Sequence, residues 1–161
     1  MNSYLKAEDT VNGRIGCVWL NLRGVLSELV GLVKFEAKDN VETSDFKTVG
    51  TTKTQTKVKG VSGKGTIEMQ YHGVSIFSGI VQKFRQTGVL DTFSLTVENN
   101  DPNTSLGVRT VTYTGCTLDG DIPSALLDSS AEDGMTISIG FKYTDCTVLK
   151  DFSEPANIGR D

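Results

Sequence analysis

Strict two-residue alternation of apolar and polar side chains recurs along this chain, and that period commits most of it to β-strands. Successive side chains on a strand point to opposite faces, so the alternation buries one face and leaves the other in water. Within Gly16 to Asn21, Val18 and Leu20 oppose Cys17, Trp19 and Asn21. From Leu29 to Lys38, Val33, Phe35 and Ala37 oppose Lys34, Glu36 and Lys38. Ile67, Met69 and Tyr71 alternate with Thr66, Glu68 and Gln70, and Phe93, Leu95 and Val97 with Ser94, Thr96 and Glu98. Val108 to Leu118 is rich in Val, Thr and Tyr. The last strand, Met135 to Tyr143, sets Met135, Ile137, Ile139, Phe141 and Tyr143 against Thr136, Ser138, Gly140 and Lys142.

One stretch changes period. Val74, Phe77, Val81 and Phe84 fall three and four apart, which predicts an amphipathic helix from Val74 to Arg85 with Gly88 as its stop. Gly79 and the β-branched residues weaken it in isolation, so burial against a sheet has to stabilise it. Turn chemistry separates the elements: Asn12-Gly13, Arg23-Gly24, and Asn99 through Asn103. The segment Gly120 to Ser130 is open between a short helix and an edge strand, because Pro123 disfavours a central strand. The residues from about 152 to 161 read as a surface tail.

Thr43 to Gly65 stands apart. It holds five lysines, one acid and three scattered valines, too little to build a core of its own. An extended loop over about 43–65 is expected, of the kind that is functional or orders on a partner. The rest follows as a single 161-residue domain of mainly β (α+β) class: an antiparallel β-sandwich or partial barrel with one packed α-helix. Long strands with open edges need a partner or closure, and a neighbouring copy supplies either.

Chemistry-bearing motifs are sparse. His72 is the only histidine and no serine or cysteine near it sits in a nucleophile elbow, so no enzyme is expected. Asp119, Asp121 and Asp128 lack the spacing of a calcium loop, and a turn-forming role is preferred. Gly60, Gly63, Lys64 and Gly65 do not make a phosphate loop, since a strand rather than a helix follows. No cofactor or metal is expected. A formal charge of −4 disfavours ordinary nucleic-acid binding, and the lysine run lacks interleaved aromatics for stacking. Three cysteines at unrelated spacings and an opening without a signal pattern predict reduced thiols and a chain that is soluble when made, with no membrane insertion.

Read in order, several short motifs resemble the XkdM-like phage tail tube family, the inner tube proteins of contractile tails in Gram-positive phages and defective prophages. They are Lys6-Ala7-Glu8-Asp9-Thr10-Val11-Asn12-Gly13, Phe35-Glu36-Ala37, Gly50-Thr51-Thr52-Lys53, Gly63-Lys64-Gly65-Thr66, Phe93-Ser94-Leu95-Thr96-Val97, Arg109-Thr110-Val111-Thr112-Tyr113 and Phe141-Lys142-Tyr143. Val25, Leu26 and Leu29 depart from that pattern by making the first turn longer and more apolar. The resemblance implies rings of six subunits, closing a β-barrel between chains and stacking into a tube in the virion tail, assembled in the host cytoplasm. It implies a sheath, a tape-measure protein and a baseplate as partners, with DNA passing through the lumen unbound.

It further implies that the 43–65 region, an extended hairpin in the family, joins rings through Lys47, Thr48, Lys53, Lys57, Lys59 and Lys64. Val33, Phe35, Ile67, Met69, Phe93, Leu95, Ile137, Ile139 and Phe141 are expected in strand pairing and packing between subunits, and Val74, Phe77, Val81 and Phe84 in packing the helix. A tube of a phage-tail-like bacteriocin or secretion system is the neighbouring reading. A monomeric β-barrel binding module is the reading from another class.

Overall fold

The computed structural model describes residues 2–160. The expected architecture is there: antiparallel sheets and one α-helix. Contacts divide the chain into two compact units, one holding the residues up to Val30, Asp91–Cys116 and those from Asp145 onward, the other holding Gly31–Leu90 and Thr117–Thr144.

The first unit is built on β2 (Gly16–Leu22), β3 (Val25–Glu28), β6 (Phe93–Asn100), the greater part of β7 (Val108–Asp119) and β9 (Asp145–Lys150). Its sheet runs β3-β2-β6-β7-β9 and does not close. Arg23 and Gly24 both take positive φ, at 53° and 80°, the two-residue turn whose twist matches a hairpin. The apolar excess after it is thus a strand, with Leu29 buried beyond its end. Val18 and Leu20 stand opposite Val97 and Leu95 and are buried, as the alternation requires. Gly115, at φ 65°, sits in a bulge of β7 that brings buried Cys116 opposite Phe93. Burial pushes the Cys116 thiol up to about 12, so at neutral pH it is a small apolar filler and not a nucleophile.

The same unit ties together the first and last described segments. Asp9, 1% exposed, accepts hydrogen bonds from the Ser105 hydroxyl and from the backbone N–H of Asn157 at 3.2 Å. Ser153 N–H reaches Leu106 O at 2.8 Å, and β1 (Ser3–Tyr4) pairs with β10 (Gly159–Arg160). Residues 153–160 of the segment expected as a surface tail are therefore held, and Asp161 lies outside the described residues. A buried carboxylate without such donors would be costly, which is what fixes the tail to Asp9. Arg109 also pairs with Asp151, whose carboxyl lies below its ordinary range through the Phe152 N–H and the Arg109 guanidinium.

The second unit is built on β4 (Leu32–Phe46), β5 (Gln55–Gln70), β8 (Thr136–Tyr143) and α1 (Val74–Thr87), and the last residues of β7, Thr117–Asp119, pair with β8. β5 is its spine, paired to β4 along its whole length and to β8 over Gly63–Gln70. One face carries Ile67, Met69, Ile137, Ile139 and Phe141, all buried. Gly63 and Gly65 lie on that face. A Cβ on Gly63 would meet the Tyr143 ring at 2.2 Å, and one on Gly65 would meet Phe141 Cζ at 2.4 Å and Glu36 O at 2.6 Å. The glycines exist so that two rings can lie across the spine, and the Tyr143 hydroxyl then donates to Asp39 at 2.7 Å.

Two bulges interrupt the β4–β5 ladder. Leu32 opposes Met69 whereas Lys34 opposes Glu68, so Val33 is an extra residue. The alternation placed Val33 with Phe35 and Ala37. The bulge instead gives Leu32 that side and leaves Val33 more than half exposed. The second bulge makes Lys59 the extra residue, since Glu42 opposes Gly60 and Thr43 opposes Val58. Where a loop was expected over 43–65, β4 runs to Phe46 and β5 starts at Gln55. Threonine and valine suit a two-stranded ladder even without a core beneath them. Between Asp119 and Thr136 the chain forms bends and turns, so neither the helix nor the edge strand left open there is found.

Helix α1 follows a short 3-10 turn, Tyr71–Gly73, and ends at Gly88, whose φ of 75° lets its N–H cap Phe84 O at 2.8 Å. It buries Phe77 and Ile80, with Val74 and Val81 half-buried. Phe84, expected in the packing, is 46% exposed. It shares the angular face of Phe77 but lies two turns on, near the helix's end. Ile80 takes the role that the spacing assigned to it.

Three outcomes follow for stability. Gly65→Ala should cost about 1–3 kcal/mol in denaturant melts, because backbone as well as a ring must yield. Asp9→Ala, which leaves its donors unpaired, should cost about 1–3 kcal/mol and expose residues 153–160 to protease. Ile80→Ala should cost about 2–5 kcal/mol while Phe84→Ala stays within about 1 kcal/mol, a contrast that thermal melts read directly.

Candidate assembly surfaces

What a neighbour meets is set by edges and by exposed faces. In the first unit β3 and β9 are the outer strands, and Val25, Leu26, Val148 and Leu149 stand exposed on them. In the second unit β4 is an outer strand of fifteen residues with no partner on its far side among the described residues. Strand edges of this length and apolarity invite pairing with another chain.

The residues expected between subunits divide accordingly. Ile67, Met69, Phe93, Leu95, Ile137, Ile139 and Phe141 are buried within this one chain and form its cores. Phe35 is half-buried, its ring 5.8 Å from that of Phe141, and Val33 is exposed at its bulge. Alternation shows which face is dry but not whether the cover is the same chain or the next. Surfaces open to a neighbour lie instead on the outer strands and on the β4–β5 arm.

That arm projects the ladder past its last pairing with β8 at Gly63–Tyr143. Lys47, Thr48, Lys53, Lys57 and Lys59 are exposed on it, and Lys64, also exposed, lies just below it where β5 still pairs with β8. Sequence reading missed the arm's apolar side. Val41 opposes Val61, Thr43 opposes Val58, and the three valines are 58%, 64% and 64% exposed. Val58 and Val61 are three apart, which strict alternation would put on opposite faces. The extra residue Lys59 brings them to one face, and that odd spacing was the available signal.

The opposite face of the second unit is polar. Lys38, Lys64 and Lys142 form a cross-strand row. Glu36 pairs with Lys38 and, at 3.4 Å, with Lys34, and those ammonium groups, Lys38 first, hold its carboxyl below the ordinary range. Residues 119–133 carry five acids and no base. Tyr71 supports this loop, its hydroxyl accepting from Leu126 N–H at 3.1 Å.

His72 lies exposed in the 3-10 turn, and Asp128 accepts from the Ser130 N–H and hydroxyl as a turn residue does. Among the described residues no group of three or more His, Cys, Asp or Glu side chains is placed to hold a metal. No helix among the described residues is long and apolar enough to cross a membrane.

No curated protein matches the chain. Solved structures do. A chain of the cap that terminates the tube of the anti-feeding prophage aligns over 91% of this chain and 95% of its own, with a TM-score of 0.67 at 11% identity. One from the sheath–tube complex of an extracellular contractile injection system, in its extended state, aligns over 89% and 93%, with a TM-score of 0.65 at 11% identity. One from the tail of an empty gene transfer agent particle aligns over 88% and 100%, with a TM-score of 0.51 at 15% identity. At these identities the likeness is one of fold. A family profile described as phage tail tube protein matches residues 3–150, nearly the whole chain and both of its units. With that match over a fold shared with tail and injection-tube particles, the chain belongs to the phage tail tube protein family.

Proposed function

We propose that this tail tube subunit works as one tail tube domain that joins five copies of itself in a ring, and that rings stack into a hollow conduit for DNA leaving the phage head. The observation that carries this reading is that each unit's sheet ends in outer strands with no partner on their far side among the described residues, which a ring of copies satisfies by continuing the sheets from chain to chain into a closed barrel. Six-fold order is supported by the gene transfer agent tail, refined with C6 symmetry, and by a matching chain of the anti-feeding prophage baseplate, 6-fold symmetrised. The outer strands carry the lateral contacts, with Val33 and the edge of β4 among them. The arm carries the axial ones.

In this reading the partners are a sheath around the tube, a baseplate below it and a tape-measure protein in the lumen during assembly, and the protein ends in the virion tail after assembly in the host cytoplasm. The work is structural, with no cofactor and no catalysis. DNA slides through without specific contacts, a role the chain's acidic balance favours. A tube of a contractile injection device is favoured as the second reading by the sheath–tube neighbour, and the two differ only in cargo. The monomeric binding module is less favoured, since no sheet among the described residues closes on itself to form a barrel.

Negative-stain microscopy of concentrated protein, alongside sedimentation velocity, should show six-fold rings and hollow tubes. Deleting Thr48 to Lys59 should leave a folded protein that forms rings but no tubes. A protein that sediments as a monomer at every concentration would sink the reading, and loss of folding on deletion would return the arm to the core.

A further inference from the structure

The arm and the acidic loop sit at opposite ends of one strand. Residues 47–64 contain five lysines and no acid, while the arm's other strand adds Glu42 and Asp45, so the arm from 40 to 63 carries four lysines and two acids, a net +2, against −6 in the rest of the chain. Five of the acids, Asp119, Asp121, Asp128, Glu132 and Asp133, fall within 119–133, where there is no base. β5 begins at Gln55 beside the arm's tip and ends at Gln70, which pairs with Thr136, while Tyr71 N–H bonds Met135 O. The sixteen residues of β5 span about 50 Å from beside the arm's tip to the return of the loop at Thr136, with Lys64 and Asp119 at an intermediate level. None of these five lysines and five acids takes part in an ion pair among the described residues.

The apolar side chains are matched as well. The arm presents Val41, Val58 and Val61, and the acidic loop presents Leu127, fully exposed, beside a depression of about 420 Å³ lined by Leu126, Ala131 and Met135. Lys64 and Asp119 line one depression partway along the ladder, but the lysines of the arm's tip and the leucine-bearing loop lie at its two ends and cannot meet within one molecule. They can meet between two.

We propose that the arm of one copy docks on the 119–136 loop of a second copy, making the contact between successive rings electrostatic and head-to-tail. This rests on the tube reading and names its axial interface. A heterologous contact of this kind does not close on itself, so it propagates along an axis. Opposite charges on the two ends also set polarity, because arm against arm and loop against loop repel. Screening by salt loosens the contact.

The test uses two charge-reversed full-length variants. In one, Lys47, Lys53 and Lys57 become Glu, leaving the bulge residue Lys59 in place. In the other, Asp121, Glu132 and Asp133 become Lys, leaving the turn residue Asp128 in place. Each variant alone should lose stacked assemblies at least about tenfold in sedimentation velocity, with circular dichroism unchanged, and an equimolar mixture should restore them, since each supplies the end that the other lacks. As an independent arm, wild-type assemblies should fall by about tenfold between 0.05 and 0.5 M salt. Tubes formed equally by either variant alone, a mixture that stays unassembled, or wild-type stacking indifferent to salt would each overturn the docking and leave the tube reading standing. Charge-dependent filaments that are solid rather than hollow would keep the docking and overturn the tube. A wild type that remains monomeric at low salt overturns both.

Discussion

Backbone hydrogen bonding is the constraint on which the rest of this structure depends. An outer strand satisfies its ladder on one side only, and a strand of fifteen residues such as β4 leaves a long row of donors and acceptors facing outward. Soluble proteins usually shorten such edges or cover them. This chain does neither, and it keeps exposed valines and leucines along the same elements. A fold arranged in this way is finished by its neighbours. Its cores, centred on Leu20 and Leu95 in one unit and on Ile67, Ile139 and Phe141 in the other, are large enough to hold each unit together without serving as the interface.

Much of the fold is legible in the amino-acid sequence because its signals are local. Val18 and Leu20, Phe93 and Leu95, and Ile137 through Phe141 declare their dry faces by period alone. Arg23-Gly24 and Gly88 mark a hairpin and a helix end because few other residues tolerate the backbone conformations needed there. The extra residues at Val33 and Lys59 are harder to read. A bulge leaves no repeat of its own and shows only as a break in another, and strict alternation run through Val33 assigns it the wrong side.

Other features depend on distant partners. That the last residues are pinned rather than free rests on Asp9, far away in sequence, whose carboxylate needs donors once it is buried. Phe84 shares the angular face of Phe77 yet is exposed near the helix's end, a difference along the axis that angular periodicity cannot register. The candidate surfaces are the least legible part. Charge at residues 47–59 and 121–133 can be counted from composition, but the tracing of β5 from beside the arm's tip to the return of the acidic loop at Thr136 becomes visible only in the second unit's pairings.

The bulge at Lys59 constrains how this arm can change length. With the valines of both strands brought to one side by a single extra residue, inserting or removing one residue in either strand would turn that strand's distal side chains over and scatter the apolar strip. Only even steps preserve it, each worth about 6.7 Å of reach. The spacing that such an arm can span is therefore quantised, and a lineage that retunes it must move by whole pleats.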